Sequence, residues 1–421
     1  MRAPTGSARF PGGASDADGG PPHDRWTPGT VHRIASTPQR LDAPSWINPG
    51  LLIAAAALAL TALGVAAIGT TEPDLARRQA LYAAVAFVGA LLCATPSPGA
   101  VRRAAWPLYL AAGGLLVLVL VPFLPEAIVR PRNGARRWIS LGITDFQPSE
   151  IAKIAVVLVL ATWLRLRSHH RRLTGLLPPF LLTLAPMGLI LVEPDLGTAI
   201  LFIPVLLAML LAAGARKRHI AAIVAMGLVA APASYPVLEP HQRARVDALI
   251  AQIRGDTRYE QDIGFQGARA MTLIGAGGLA GVGKEHAAAL VRFNALPEEH
   301  NDMIFAVVCT RWGAYGGAAV WGLFLLVAIG GGWIAVLAKE PFIRLVAVGF
   351  TTMLLAQAFI NTGMTVGLLP ITGMTLPFVS YGGSSLVAAW AMIGLLYGLA
   401  LRRGPFVLRR GHVMDGAEEQ R

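Results

Sequence analysis

The chain has 421 residues, 54% of them hydrophobic and only 14% charged, with a formal net charge of +12. That balance excludes an ordinary soluble enzyme and a disordered chain, and it points to a protein that buries most of its surface in lipid. The two cysteines, Cys93 and Cys309, both lie in apolar runs, so neither a disulfide framework nor a metal–thiolate centre is expected.

Residues 1–44 are rich in Gly, Pro, Ser and Asp, contain no apolar run to act as a signal peptide, and read as a disordered cytoplasmic tail. Beyond them, apolar blocks recur near 50–69, 79–96, 104–124, 149–165, 175–192, 196–213, 219–238, 303–338, 341–369 and 385–401. Each approaches the ~20 helical residues that cross a hydrocarbon core of about 30 Å. The predicted fold is all-α: a polytopic membrane protein of ten transmembrane helices, with a large extracytoplasmic loop before the eighth span. Only Glu193-Pro194-Asp195 divides the stretch 175–213 into two. A short tail, 405–421, ends the chain.

Basic residues orient the bundle. With the N-terminus inside, the inner loops and tail collect Arg102, Arg103, Arg165, Arg167, Arg171, Arg172, Arg216, Lys217, Arg218, Lys339, Arg344, Arg402, Arg403, Arg409 and Arg410, and the short outer loops hold only Arg77 and Arg78. This positive-inside bias predicts an even number of spans with both termini cytoplasmic. The positive charge is mostly topology, and no nucleic-acid partner is expected.

Two long outer segments follow from that topology, 125–148 and 239–302. Arg130 to Lys153 reads RPRNGARRWISLGITDFQPSEIAK, with four arginines and a Glu/Lys pair between nearly uncharged apolar runs. Charge at a bilayer edge is costly, which makes it a candidate for substrate or ion binding. Glu150 and Lys153, spaced i, i+3, share one helix face and can pair, structurally or functionally. In the second segment Val246, Leu249, Ile250 and Ile253 form an apolar stripe flanked by Arg243, Arg245 and Arg254, the pattern of a helix lying among lipid headgroups. GAGGLAGVGKE, 275–285, mimics a phosphate-binding loop but has Glu285 where a hydroxyl should bind magnesium; a turn allowing close backbone approach is the better reading. LPEEHNDMIFAV, 296–307, places Asp302 just before an apolar helix, where it can act as an N-cap whose anion the helix dipole favours. The same carboxylate can accept a proton or hold a divalent ion, with Glu298, Glu299 and His300 at hand. SYGGSS, 380–385, reads as a glycine bend whose Ser384 or Ser385 caps the last helix.

NGARRW…LG…FQPSE..K (133–153), PDLGTA (194–199), QR.R (242–245), LPE.H.D.IFAV (296–307) and N.GM..GLLP.TGM.LPF.SYGGSS (361–385) occur in one order along the chain. Together they resemble the shape, elongation, division and sporulation (SEDS) proteins, the bacterial cell-wall glycan polymerases typified by RodA and FtsW. The resemblance implies that 45–404 is a transmembrane glycosyltransferase domain with 239–302 as its outer catalytic loop, polymerising lipid II with inversion. It implies Asp302 as the catalytic base and metal ligand. Arg137, Glu150 and Lys153 would form the cluster for the lipid pyrophosphate; Glu298, His300 and Arg311 are further substrate-binding candidates by their own placement at the outer face. It also implies a divalent cation (Mg or Mn), no organic cofactor, membrane lipids around it, and a class B penicillin-binding protein, a transpeptidase, as partner. Ile371-Thr372-Gly373 and Leu296-Pro297-Glu298 resemble the elongation branch, RodA, more than the division branch. A lipid II flippase is the rival from another class. Two departures stand out: Asn301 replaces the family's Thr, and Thr310-Arg311 replace a pair of glutamates. A helix over all of 303–338 would be about 50 Å long at ~1.5 Å per residue. A break near Gly313, Gly316 and Gly317 is therefore expected, with Arg311 reaching an outward-facing polar cavity and meeting lipid phosphate or an acid such as Glu150.

Overall fold

The computed structural model describes residues 48–402, except 126, 133–134, 141, 143–144, 166–173, 234, 238–239, 255 and 257–263. Both expected tails, 1–44 and 405–421, lie wholly outside the described residues. Every expected apolar span coincides with a helix. The first three are α1 (Pro49–Thr71), α2 (Pro73–Ala94) and α3 (Pro98–Leu120). Each opens on a proline, whose missing N–H costs nothing in a first turn. Asn48 and Ser97 cap α1 and α3 through side-chain oxygens that accept from Gly50 N and Ala100 N at 2.9 and 3.3 Å.

Then come α4 (Pro148–Leu164), α5 (Leu177–Val192), α6 (Leu196–Ala212) and α7 (Lys217–Ala233). The Glu193-Pro194-Asp195 divider does separate α5 from α6. The long break before the eighth span is itself helical, with α8 (Pro240–Ile253), α9 (Phe265–Gly277) and α10 (Lys284–Phe293). The apolar runs resume in α11 (Ile304–Leu337), α12 (Pro341–Thr365) and α13 (Gly383–Leu401). Among the described residues, six helices (α1, α2, α3, α11, α12 and α13) are long and apolar enough to cross a membrane. The other four expected spans are helices of 16 or 17 residues.

α1 lies along α11, α2 along α13, and α12 is packed between α11, α6 and α4. Small residues permit the closest approaches: a Cβ added at Gly394 or Gly398 would collide with the Ala90 or Ala94 carbonyl of α2. Such small-residue seams suit helices that associate in lipid, where packing replaces the hydrophobic drive. The opposite side of α2 presents Leu81, Val85, Val88 and Leu92 outward, a surface for acyl chains.

The all-α expectation needs one correction. Within 125–148 a three-stranded antiparallel sheet forms from β1 (Val129–Arg132), β2 (Ala135–Ser140) and β3 (Asp145–Phe146). Arg132 pairs with Ala135, leaving a two-residue connection whose sequence, Asn133-Gly134, is the dipeptide such hairpins favour. Arg136 ties the sheet to the end of α3, donating to the carbonyls of Pro122 and Leu124, each at 2.8 Å.

Candidate functional site

α11 begins at Ile304 with Met303 as its N-cap residue, so Asp302 is not the cap that its sequence position suggested. Its carboxylate is left for other work. Asp302 is buried. Its Oδ1 accepts from Gln266 Nε2 of α9 at 3.3 Å, and its main-chain carbonyl accepts from Asn361 Nδ2 of α12 at 2.7 Å. Burial, then the neighbouring Glu298, push its carboxyl up to about 7; its own N–H, the Arg245 guanidinium and Gln266 act against them. The fully favoured anion expected from capping is replaced by a group poised to take up or release a proton near neutrality.

The other expected site residues divide. Glu298, exposed and at φ +52°, accepts from the Asn301 side chain and shares the field of Asp302. His300 sets its ring edge-on to Tyr381, with centroids 5.8 Å apart, and its Nδ1 is buried without a partner. Glu299, half-buried, stands between them in the same turn.

Arg137 on β2 donates Nε to the Glu193 carbonyl at 2.6 Å and its fork to the Pro194 carbonyl, so it grips the turn between α5 and α6. No ion pair joins it to Glu150. The expected three-residue cluster is thus two separate things. Lys153 Nζ stands 3.0 and 2.9 Å from the two Glu150 carboxylate oxygens and donates to Gln357 Oε1 at 3.1 Å, with both members of the pair buried. Gln357 in turn donates to the Thr375 carbonyl at 3.0 Å, and the Thr375 hydroxyl meets Ser385 Oγ at 3.1 Å. Ser385 is therefore a link in this chain, and α13 starts from Gly382 without a side-chain cap.

Arg311 also departs from expectation. α11 does break at Gly313 (φ 65°, ψ −159°). Yet the Arg311 guanidinium reaches the Ala66 carbonyl at 2.6 Å and Thr70 Oγ at 3.1 Å in the last turns of α1, and stacks 4.2 Å over the Trp312 ring. A cation at a helix C-terminal end is satisfied by its dipole and carbonyls, while Glu150 already has Lys153. The glycine-rich loop explains the break. Val282 N and Gly283 N donate to the Thr310 and Arg311 carbonyls at 3.0 and 3.2 Å, and Ala314 N donates to the Gly278 carbonyl at 2.9 Å. A Cβ at Gly277, Gly281 or Gly313 would strike backbone. The close backbone approach expected of GAGGLAGVGKE, toward a ligand or the bilayer, is made instead to α11.

The sequence did not single out Glu193, Asp195, Gln266 or Asn361 as site residues, and Arg245 read there as one arginine of a helix among lipid headgroups. Arg245 on α8 donates to the Ile371 carbonyl at 3.0 Å, and its proton affinity is lowered by burial and by Arg137 and raised by Asp302. Arg137, Arg245 and Asp302 therefore share one electrostatic neighbourhood. Beside them Asp195 caps α6, accepting from Thr198 N and Oγ at 3.1 and 2.8 Å, and takes Gln147 Nε2 at 3.2 Å. Glu193 is buried with neither carboxylate oxygen partnered; burial and Asp195 push it up to about 8 against the opposing Arg137. The QR.R step and the PDLGTA block were the available signals. For Gln266 and Asn361 there was none beyond membership of longer motifs. Among the described residues no group of three or more His, Cys, Asp or Glu forms a metal cage.

A family model of cell cycle proteins, covering FtsW, RodA and SpoVE, matches residues 46–403. A Geobacter sulfurreducens protein named "Probable peptidoglycan glycosyltransferase FtsW" is 33% identical over 367 residues, covering 84% of this chain and 95% of that protein. Its namesake from Thioalkalivibrio sulfidiphilus is 34% identical over 400 residues, covering 90% and 94%. Among solved structures, the rod shape determining protein RodA of Thermus thermophilus is 31% identical with a TM-score of 0.61, covering 83% of this chain and 96% of that one. A chain from a peptidoglycan synthase complex, described as coordinating polymerization and crosslinking, is 32% identical with a TM-score of 0.71, covering 83% and 97%.

Proposed function

The chain belongs to the FtsW/RodA/SpoVE family and is a multi-pass membrane glycosyltransferase of peptidoglycan synthesis; from that premise we propose that it polymerises lipid II on its Asp302 face. The observation that carries this reading is a buried carboxyl held near neutrality within the field of Arg245, which itself lies in the field of Arg137. A general base works best with a pKa near the operating pH, and such bases contribute typically 10²–10⁴-fold.

Asp302 takes the proton of the acceptor sugar's 4-hydroxyl as that oxygen bonds to C1 of the donor. The C1–oxygen bond to the polyprenyl pyrophosphate breaks on the opposite face, giving inversion with no covalent enzyme intermediate. Negative charge grows on the departing pyrophosphate, and Arg245, with Arg137 behind it, is placed to stabilise it. Lys153, buried and doubly bonded, holds the floor of the site in this reading, in place of the phosphate contact expected from its motif. Mg²⁺ or Mn²⁺ would be held by the Asp302 carboxylate together with substrate phosphates, since such ions are bound through one or two carboxylates plus phosphates. When bound it would supply further charge for the leaving group.

Ten helices coincide with the ten expected spans; crossing ten times would leave both termini on one side, and the basic inner loops make that side the cytoplasm, which would put the Asp302 face outside. The match to a chain of a polymerising and crosslinking complex supports a penicillin-binding transpeptidase as partner. Between the two branches we favour division over the elongation role suggested by Ile371-Thr372-Gly373, because the curated relatives bear the FtsW name. Depletion that yields filaments supports division; rounded cells would return the elongation reading. Purified protein incubated with labelled lipid II, with and without the transpeptidase, should yield glycan polymer. Translocation of lipid II across vesicles without any polymer would favour the flippase instead.

A further inference from the structure

The segment that carries Asp302 is fixed through its main chain, and the residues that fix it come from distant parts of the fold. Three successive carbonyls each accept one hydrogen bond. Tyr381 N donates to His300 O at 2.8 Å, Ser380 Oγ to Asn301 O at 2.6 Å, and Asn361 Nδ2 to Asp302 O at 2.7 Å. These donors are held in their turn. Ser380 Oγ accepts from Leu376 N at 2.7 Å, and Asn361 Nδ2 also reaches the Met374 carbonyl at 2.6 Å. Gln79 on α2 grips the 380–382 bend from both sides, donating Nε2 to Ser380 O at 2.9 Å and accepting from Gly382 N at 3.2 Å. Gln79 and Asn361 are fully buried and Ser380 nearly so.

Asn361 is informative for what it leaves undone. Both partners of its Nδ2 are carbonyls, so the amide cannot be turned round, and its Oδ1 is buried with no partner. A buried acceptor without a donor costs free energy that an apolar residue would avoid. The asparagine is therefore kept for where its donor holds Asp302.

We propose that Asn361, Ser380 and Gln79 are positioning residues, which set the Asp302 carboxyl at reacting distance from the acceptor hydroxyl by fixing the carbonyls of 300–302. The inference rests on Asp302 being the base. A displacement of about 1 Å in a reacting group can cost on the order of 10²-fold in rate. Substrate affinity, set by other side chains, should change little.

The test uses purified full-length protein with lipid II in proteoliposomes. Ser380→Ala and Asn361→Ala should lower kcat by roughly 10- to 100-fold with KM nearly unmoved, and Ser380→Thr, which keeps the hydroxyl, should recover most of the lost rate. If Asn361→Ala does not fold, the Ser380 pair decides alone. Normal kcat in Ser380→Ala with only a lowered melting temperature would overturn the proposal, as would failure of Ser380→Thr to exceed Ser380→Ala. Asp302→Asn, run alongside, separates the two ideas. An active Asp302→Asn removes the catalytic reading and this one with it. An inactive Asp302→Asn beside a fully active Ser380→Ala removes only the positioning role.

Discussion

Glu150 and Asp302 begin from the same situation and end differently. Each sits at the start of a long apolar helix, and each is almost wholly removed from solvent, at 5% and 6% exposure. Glu150 has a lysine one turn further on, 3.0 Å away, and that lysine is bonded in turn to Gln357. Asp302 has no cation on its own helix face; a neutral amide touches its carboxylate, Arg245 acts on it only through its field, and Glu298 works against ionisation. Burial alone therefore does not mark a working carboxylate. What distinguishes the two is whether a partner within one helical turn neutralises the charge, and that difference separates a structural anchor from a group free to exchange a proton.

The sharpest way to break this comparison is to change each carboxylate's chemistry in place. Asp302→Asn keeps the shape and removes the base, so polymer formation should fall on the order of 10²-fold or more while folding and membrane insertion persist. Wild-type polymerisation by the purified variant would remove Asp302 from the chemistry. Lys153→Ala should act on stability instead, because it strands the Glu150 carboxylate in the core. Breaking a buried pair in this way costs about 3–5 kcal/mol, whereas removing both charges together is far milder. Thermal unfolding in detergent should show Lys153→Ala much less stable than the double variant Glu150→Gln/Lys153→Met. A stable Lys153→Ala protein with weakened lipid II affinity would return Lys153 to the substrate site.

That contrast also marks what the sequence could disclose. The ten helices at the expected spans were legible because long uninterrupted apolar runs leave few alternatives to helix, and the i, i+3 spacing of Glu150 and Lys153 directly encodes their pairing. The sheet at 129–146 was missed because its strands are short and charged, and Asn133-Gly134 was the one local cue. The contacts of Asp302 could not be read: Gln266 and Asn361 reach it from α9 and α12, and nothing in their neighbours' spacing reports the meeting, while Arg245 of the QR.R step acts on it from α8 through its field. The motif's resemblance located the aspartate, while its surroundings required tertiary structure. Arg311 shows the opposite error. An arginine in an apolar run was assigned to ligand or acid, and a carbonyl and a hydroxyl in the last turns of a neighbouring helix were overlooked as a third sink.

A smaller effect sharpens the comparison at its electrostatic root. Glu298 raises the Asp302 carboxyl, so Glu298→Gln should lower it. A base must be deprotonated to act, so wild-type activity should be lost as pH falls through about 7, and the variant should hold its activity to lower pH. Profiles of kcat/KM against pH for both proteins measure this directly. An acid limb that stays where it was, or moves up, would mean that Glu298 does not act on the base.

The smallest expected effect belongs to Arg311, the charge furthest from the exchange of protons in this account. Its guanidinium is bonded to Ala66 O and Thr70 Oγ and lies over Trp312, all near the junction of α1 with the broken part of α11. The Gly313 break is held independently by main-chain bonds from the 278–283 loop, so the kink does not depend on the arginine. Arg311→Gln removes a half-buried cation from a helix C-terminal end and one carbonyl bond, which should cost on the order of 1 kcal/mol of stability. Unfolding temperature should drop slightly, and polymerisation at a temperature where the variant is folded should stay close to wild type. A large loss of lipid II binding with no loss of stability would instead place the Arg311 guanidinium in a substrate-facing cavity, and the distinction drawn between neutralised and free charges would then have to be redrawn to include a cation.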